Sequence, residues 1–547
     1  MAAGPAVAGE LPPVLKAITG EVERGYRAYS VLKENPVYYL SCSVVESDSF
    51  RLAAAWGGIT DRKREAERQM DLDLRVGSPE LDNTHRAWGD EWGLTGVSLK
   101  DDPAAIAADI WLDTERRYRS SVEKFVKIAA DRAVKVKEED TSPDFCAAPA
   151  VSLVEESRAM KIDERAWETA VREVSAEFRK HPAVLESEVS VSALNQTRYF
   201  ADSRGSAVVQ VMPLAEFRMW ASARAEDGME FSLYRQYPAR DPAGLPGVSR
   251  MKADADAIGR TLEGLKTAPM VDPFTGPAIL SGRAAAVLFH EVLGHRLEGH
   301  RQKDEDADQT FTKQMNKRIL PEFLTIIDDP TRTGAEGIML MGHYRVDDEG
   351  VRARPVTLVD RGVLRSFLMS RSPVKGFPES NGHGRRQPGK GAVARQANLI
   401  ITSTRRMSPD ALRRELIRLC REKRKPYGLI FEEIEGGFTF TGRTVPNAFN
   451  VMPQVVRRVY TDGRPDELVR GVDLIGTPLT TLEKIRATGN DAGVFNGWCG
   501  AESGWVPVSA VSPSLLFSEV EVQRKQKGQE RPPLLPPPSW IGAFRGR

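Results

Sequence analysis

The chain has 547 residues, room for roughly two to four domains and a large buried core. Its 77 Lys and Arg nearly cancel its 76 Asp and Glu, and the resulting charge of +1 excludes the basic surplus of a dedicated nucleic-acid binder. Four scattered cysteines (Cys42, Cys146, Cys420 and Cys499) exclude a disulfide framework or a paired-cysteine zinc site, and no apolar run is long enough for a membrane helix.

Residues 11–34 carry a helical pattern, with Val14, Leu15, Ile18, Val22 and Tyr26 near i, i+4 spacing. The period then changes. Residues 37–45 and 50–56 are strand-like, and in 69–76 Met70, Leu72, Leu74 and Val76 alternate with polar residues, which predicts a half-buried antiparallel sheet. From about 102 to 180 the pattern is helical and charge-rich. Tyr118, Val122, Phe125, Val126 and Ala129 mark one apolar face, and Trp167, Val171, Val174 and Phe178 mark a second after an acidic, Pro-containing break. An amphipathic pair packed on a sheet is expected here rather than a partner-binding arm.

Strands return after Leu185, with hairpins around Gly205 and Gly228, and a helix is predicted at about 251–266. The Pro- and Gly-marked stretch 268–277 sets the expected boundary between an N-terminal region, 1–275, and a C-terminal region, 276–525. Residues 281–300 read as helical. Most of 321–520 reads as short strands with Gly turns, interrupted by a helix at 408–424. A Pro-rich tail, 526–547, cannot continue a sheet. The first ten residues lack the basic and apolar stretches of a secretory signal, so a soluble, cytoplasmic α+β protein is expected.

The segment that carries chemistry is 281–300, where three of seven histidines fall within eleven residues. Ser281 is a plausible N-cap, the alanines at 284–286 favour helix, and Gly299 is a natural stop. His290-Glu291 followed by His295 is HExxxH, one residue longer than the common HExxH. At i, i+4 two imidazoles sit about 40° apart around a helix; at i, i+5 they sit about 140° apart and cannot share a metal. An i→i+5 bulge would restore a common face, and Gly294 is where a distorted backbone is most easily tolerated. A widened turn around Leu293–His295 is therefore predicted, with His290 and His295 as neutral ligands and Glu291 as general base. A catalytic zinc needs a third ligand. His300 and Cys499 are both candidates, and spacing alone does not choose between them.

These residues resemble the TldD/PmbA family of zinc metallopeptidases. The resemblance extends through Asn381-Gly-His-Gly-Arg-Arg386, Ala394–Leu399, the Gly-ended run 428–437, Arg470–Gly476, Gly489-Asn-Asp491, Trp498-Cys-Gly500 and Val506-Pro-Val508, roughly residues 185–520. It implies an N-terminal α/β domain with antiparallel sheet and helices, followed by a largely antiparallel, barrel-like C-terminal β domain. It also implies Zn²⁺ held by His290, His295 and Cys499, with Glu291 as catalytic base, so that Cys499 overtakes His300. Active members hydrolyse peptides, and two related subunits enclose the site, so a peptide substrate and a homodimer or a heterodimer with a paralogue are expected, with no nucleic acid and no membrane. His383, Arg385 and Arg386 are candidates for gripping substrate. His300 stands where some members carry an acidic residue. Some members lack the motif and serve as inactive partners; this chain retains all four residues and resembles the catalytic half. The competing expectation is a non-hydrolytic, peptide- or paralogue-binding subunit whose metal is structural, and the retained Glu291 argues against it.

Overall fold

The computed structural model describes residues 11–134, 139–307, 309–439 and 449–525, together with Arg531, Pro533 and Leu535. The expected Pro-rich tail, 526–547, lies outside the described residues apart from those last three.

The N-terminal sheet is built on the long hairpin Val37–Ala55 and Gly58–Ser78, where the sequence predicts shorter separate strands. Strands Val184–Asp202, Ala207–Arg224 and Glu230–Ala239 extend it in antiparallel order, and the short strand Ser152–Val154 joins in parallel. Strand periodicity decides what each face does. Leu40, Cys42, Val44, Phe50, Leu52 and Ala54 share one face with Val189, Val191, Tyr199 and Ala201 of the neighbouring strand. Helices cover that face at both ends. Pro13–Tyr29 and Pro103–Val134 pack on one end through Leu15, Ile18, Ile106 and Ile110, and Glu164–Glu177 and Val248–Thr267 pack on the other through Val171, Val174, Met251 and Leu262. Within 102–180 a pair of amphipathic helices packs on the sheet, as the apolar faces predict, although Val126 of the first face is exposed and the strand Ser152–Val154 lies between the helices.

The opposite face meets the C-terminal half through polar side chains. Tyr39 Oη accepts from Arg371 at 3.1 Å, Arg386 pairs with Asp71 at 2.5 Å, and Arg198 pairs with Asp348. The C-terminal sheet is mixed. Strand Phe274–Leu280 runs parallel to Tyr427–Thr439 and antiparallel to Gly504–Arg524. Through Phe449–Tyr460 and Val472–Gly476 the pairing returns to Gly504–Arg524, so five strands form a hydrogen-bonded circuit. The hairpin Ile485–Ala501 and Gly504–Arg524 is far longer than the short strands expected. Helix Gly282–Phe289 is buried along its length within this sheet and is capped by Ser281, whose Oγ accepts from Ala284 N–H and donates to Glu432 O at 2.7 Å. That burial fixes where the next residues, His290 and Glu291, emerge.

Candidate metal centre

The helix changes pitch where the motif begins. His290–Gly294 form a π turn, with His295 N–H donating to His290 O, before a 3₁₀ turn at His295–Leu297. The extra residue of HExxxH is absorbed as the spacing requires, and the two rings meet edge to face with centroids 4.9 Å apart. The role of Gly294 differs from the expectation. Its backbone is ordinary right-handed helix (φ −55°, ψ −54°), so it supplies no unusual conformation. It supplies space, because a Cβ there would stand 1.8 Å from Gln396 Oε1.

Cys499 arrives from the 485–501 strand rather than from a loop. Its flanking glycines make room for rings: a Cβ at Gly497 would meet Phe495 at 2.8 Å, and one at Gly500 would meet Trp505 at 3.1 Å. Cys499 Sγ lies 3.3 Å from His295 Nε2, and the ligand atoms of His290, His295 and Cys499 all fall within 4.8 Å of one another. Two donors on a tetrahedral zinc, one nitrogen and one sulfur, stand about 3.6 Å apart. All three residues are buried, and two imidazoles with a thiolate form a donor set that zinc takes. The residues fit the metal.

The electrostatics agree with that fit. Burial alone would raise the Cys499 thiol, but the facing imidazoles of His295 and His290 outweigh it and hold the thiol well below its ordinary range. Burial likewise opposes charge on His295, yet Cys499 and Glu298 raise it well above the usual imidazole value. Glu298, which the sequence reading does not single out, is fully buried with Oε1 3.2 Å from His295 Nδ1 and Oε2 3.0 Å from Arg301 Nε. Burial would raise its carboxyl, but His295, Arg301 and Arg395 push it down to about 2. Arg395 donates to Cys499 O at 2.7 Å. Both residues lie inside motif blocks already noted, Glu298 at the end of the HExxxH segment and Arg395 in 394–399. No local signal marks either as a neighbour of the ligands.

The three ligands and Glu291 line a cleft of about 520 Å³ between the two sheets. Glu291 stands against Gly437, where a Cβ would come within 2.8 Å of its Cγ. Glu216, Arg218 and Tyr234 line the cleft from the N-terminal sheet, and Phe438, Trp498 and Trp505 expose aromatic surface along it.

The remaining sequence candidates lie elsewhere. His383 is fully buried with Nε2 3.4 Å from Asp328. Arg385 donates to Gln396 O at 2.7 Å and stacks over Tyr344. Arg386 is spent on Asp71 and covers the Trp92 ring. None of the three lines this cleft; each side chain is buried, and the two guanidinium groups are held by internal acceptors. His300 does not join the three ligands either. It packs beside Trp88 and groups with Glu298 and Glu502, where Arg301 already makes a two-pronged pair with Glu502 at 2.6 and 2.8 Å. Among the described residues no helix is long and apolar enough to cross a membrane.

Comparison with known proteins points to the same half of the molecule. Residues 274–524 match the family described as PmbA/TldA metallopeptidase C-terminal domain. A metalloprotease of Archaeoglobus fulgidus is 31% identical over 238 residues, 44% of this chain and 51% of the relative. A zinc metalloprotease TldD homolog of Saccharolobus solfataricus is 29% identical over 249 residues, 45% of this chain and 51% of the relative. The chain thus spans about half the length of each of these two relatives. The crystal structure of TldE from Thermococcus kodakarensis superposes with a TM-score of 0.60 at 15% identity, covering 93% of this chain and 100% of that one, a likeness of fold.

Proposed function

Since this chain belongs, through residues 274–524, to the TldD/PmbA family, we propose that it is a zinc-dependent peptidase acting on unfolded or short peptides. The observation that carries the reading is the meeting of His290, His295 and Cys499 within 4.8 Å, on a turn widened to suit the spacing of the motif. These three residues would hold the zinc. When bound, it supplies a Lewis acid that polarises the scissile carbonyl and makes water more acidic. Glu291, beside the first ligand and facing the cleft, takes a proton from the attacking water and delivers it to the leaving amine, so that one water is consumed and a carboxylate and an amine are released. The aromatic surface of Phe438, Trp498 and Trp505 offers contact to substrate side chains, and Glu216, Arg218 and Tyr234 form the facing wall.

A cleft of about 520 Å³ between two sheets has room for an extended segment of chain and not for a folded domain. A second subunit, identical or a paralogue, would close its open side. The reading includes a cytoplasmic location and a domain boundary near residue 275, beside the start of the matched region at 274.

The test is Glu291→Gln, with zinc content and hydrolysis of a peptide library measured together. The expected outcome is unchanged zinc and a fall in rate of about 100- to 10,000-fold. Unchanged hydrolysis would remove Glu291 from the mechanism. Zinc and peptide binding without hydrolysis in the unmodified protein would replace the enzyme with a binding subunit.

A further inference from the structure

We propose that Glu298 is a positioning residue for His295, holding the proton on Nδ1 so that Nε2 is presented to Cys499 and to the metal. The inference deepens the zinc reading above and rests on it.

The carboxylate is fully buried, on the short connection between the HExxxH turn and helix His300–Lys303. Its Oε2 accepts from Arg301 Nε at 3.0 Å, and Arg395 Nε approaches Oε1 at 3.5 Å. Two guanidinium groups keep a buried carboxylate ionised, because an unpaired charge at such depth is costly. An ionised carboxylate has no proton to give and can only accept. His295 Nδ1 is buried with no aligned hydrogen bond, and the acceptor nearest to it is the ionised Oε1 at 3.2 Å, so the ring proton is best placed on Nδ1, facing that carboxylate. When a metal displaces the second ring proton, the lone pair it takes is therefore that of Nε2, the nitrogen 3.3 Å from Cys499 Sγ. A carboxylate behind a ligating imidazole fixes both its tautomer and its orientation, and losing one weakens metal binding by about 10- to 100-fold.

The same network reaches the thiolate ligand. Arg395 also donates to Cys499 O at 2.7 Å and to Gly504 O at 3.0 Å across the hairpin turn. The buried pair Glu298 and Arg395 therefore links the backbone that carries the sulfur to the ring that faces it, across 204 positions of sequence. Glu298, His300 and Glu502 also lie close together, but Arg301 balances both carboxylates, so this group supports the first site rather than holding a cation of its own.

The experiment is competition for zinc between metal-free protein and a chromophoric chelator, for the unmodified chain and for Glu298→Gln. The expected result is one zinc per unmodified chain and about 10- to 100-fold weaker retention in the variant. Equal retention in the two would overturn the role of Glu298 while leaving the zinc reading intact. Failure of the unmodified chain to take up zinc would overturn the metal centre itself and this inference with it. If Glu298→Gln does not fold, the unmodified protein loaded with ¹¹³Cd decides the matter through its histidine ¹⁵N spectrum. Cadmium coupling at His295 Nε2, with a proton on Nδ1, supports the assignment; coupling at Nδ1 overturns it.

Discussion

Two clusters of ligating side chains lie side by side, one wholly buried and one ending on the exposed Glu502, and they handle charge in different ways. His290, His295 and Cys499 bring donors together with no Lys or Arg among the three ligands. Glu298, His300 and Glu502 bring donors together around Arg301, which pairs with both carboxylates. Residue types alone would make either group a metal site. The difference is the internal cation: where the fold supplies one, the carboxylates are satisfied, and where it does not, the donors suit an ion from outside.

The comparison can be broken most severely at the sulfur. Cys499→Ala is expected to abolish stoichiometric zinc uptake while leaving the chain folded, as read by metal analysis beside circular dichroism. A variant that still binds zinc tightly would show that the outer cluster, not the thiolate, holds the ion. The next effect in size comes from removing the internal cation. Arg301→Leu leaves fully buried Glu298 with Arg395 at 3.5 Å as its remaining guanidinium and Glu502 without its two-pronged partner, and breaking a buried pair in this way costs about 3–5 kcal/mol of stability. Denaturant unfolding measures it, and a loss below about 1 kcal/mol would mean that Arg301 is not what neutralises the second cluster. A smaller effect tests the turn on which the first cluster depends. In Gly294→Ala the new methyl must displace the buried Gln396 amide, whose nitrogen donates to His290 O at 3.3 Å, at a cost of about 1–3 kcal/mol. Unfolding experiments should also find zinc held more weakly in this variant; unchanged stability would show that Gln396 yields freely.

How much of this was legible in the sequence varies from residue to residue. The need for a widened turn follows from spacing alone, since i and i+5 on an α-helix face different ways, and the turn is present at His290–Gly294. The reason for Gly294 was not legible, because the atom that needs its space belongs to Gln396, about a hundred positions away. His383, Arg385 and Arg386 looked like a basic loop available to substrate. Asp328, Tyr344 and Asp71, which occupy them, come from distant segments, and nothing within a few residues of the run reveals them. The choice between Cys499 and His300 stayed open on spacing for the same reason. A resemblance to known sequences favoured Cys499, and the strand that carries it is what brings Sγ to 3.3 Å from His295.

By itself the sequence determined what depends on near neighbours: helices from 3.6-residue periodicity, strands from alternation, the cap at Ser281, and a pitch change forced by one extra residue in a motif. Tertiary structure alone decided which buried charges are matched and which donors meet. Those outcomes depend on distances of a few ångströms between groups hundreds of residues apart, and only the packing of two sheets and a buried helix sets such distances. Coulomb attraction and metal coordination act through space, whereas a sequence records order along the chain.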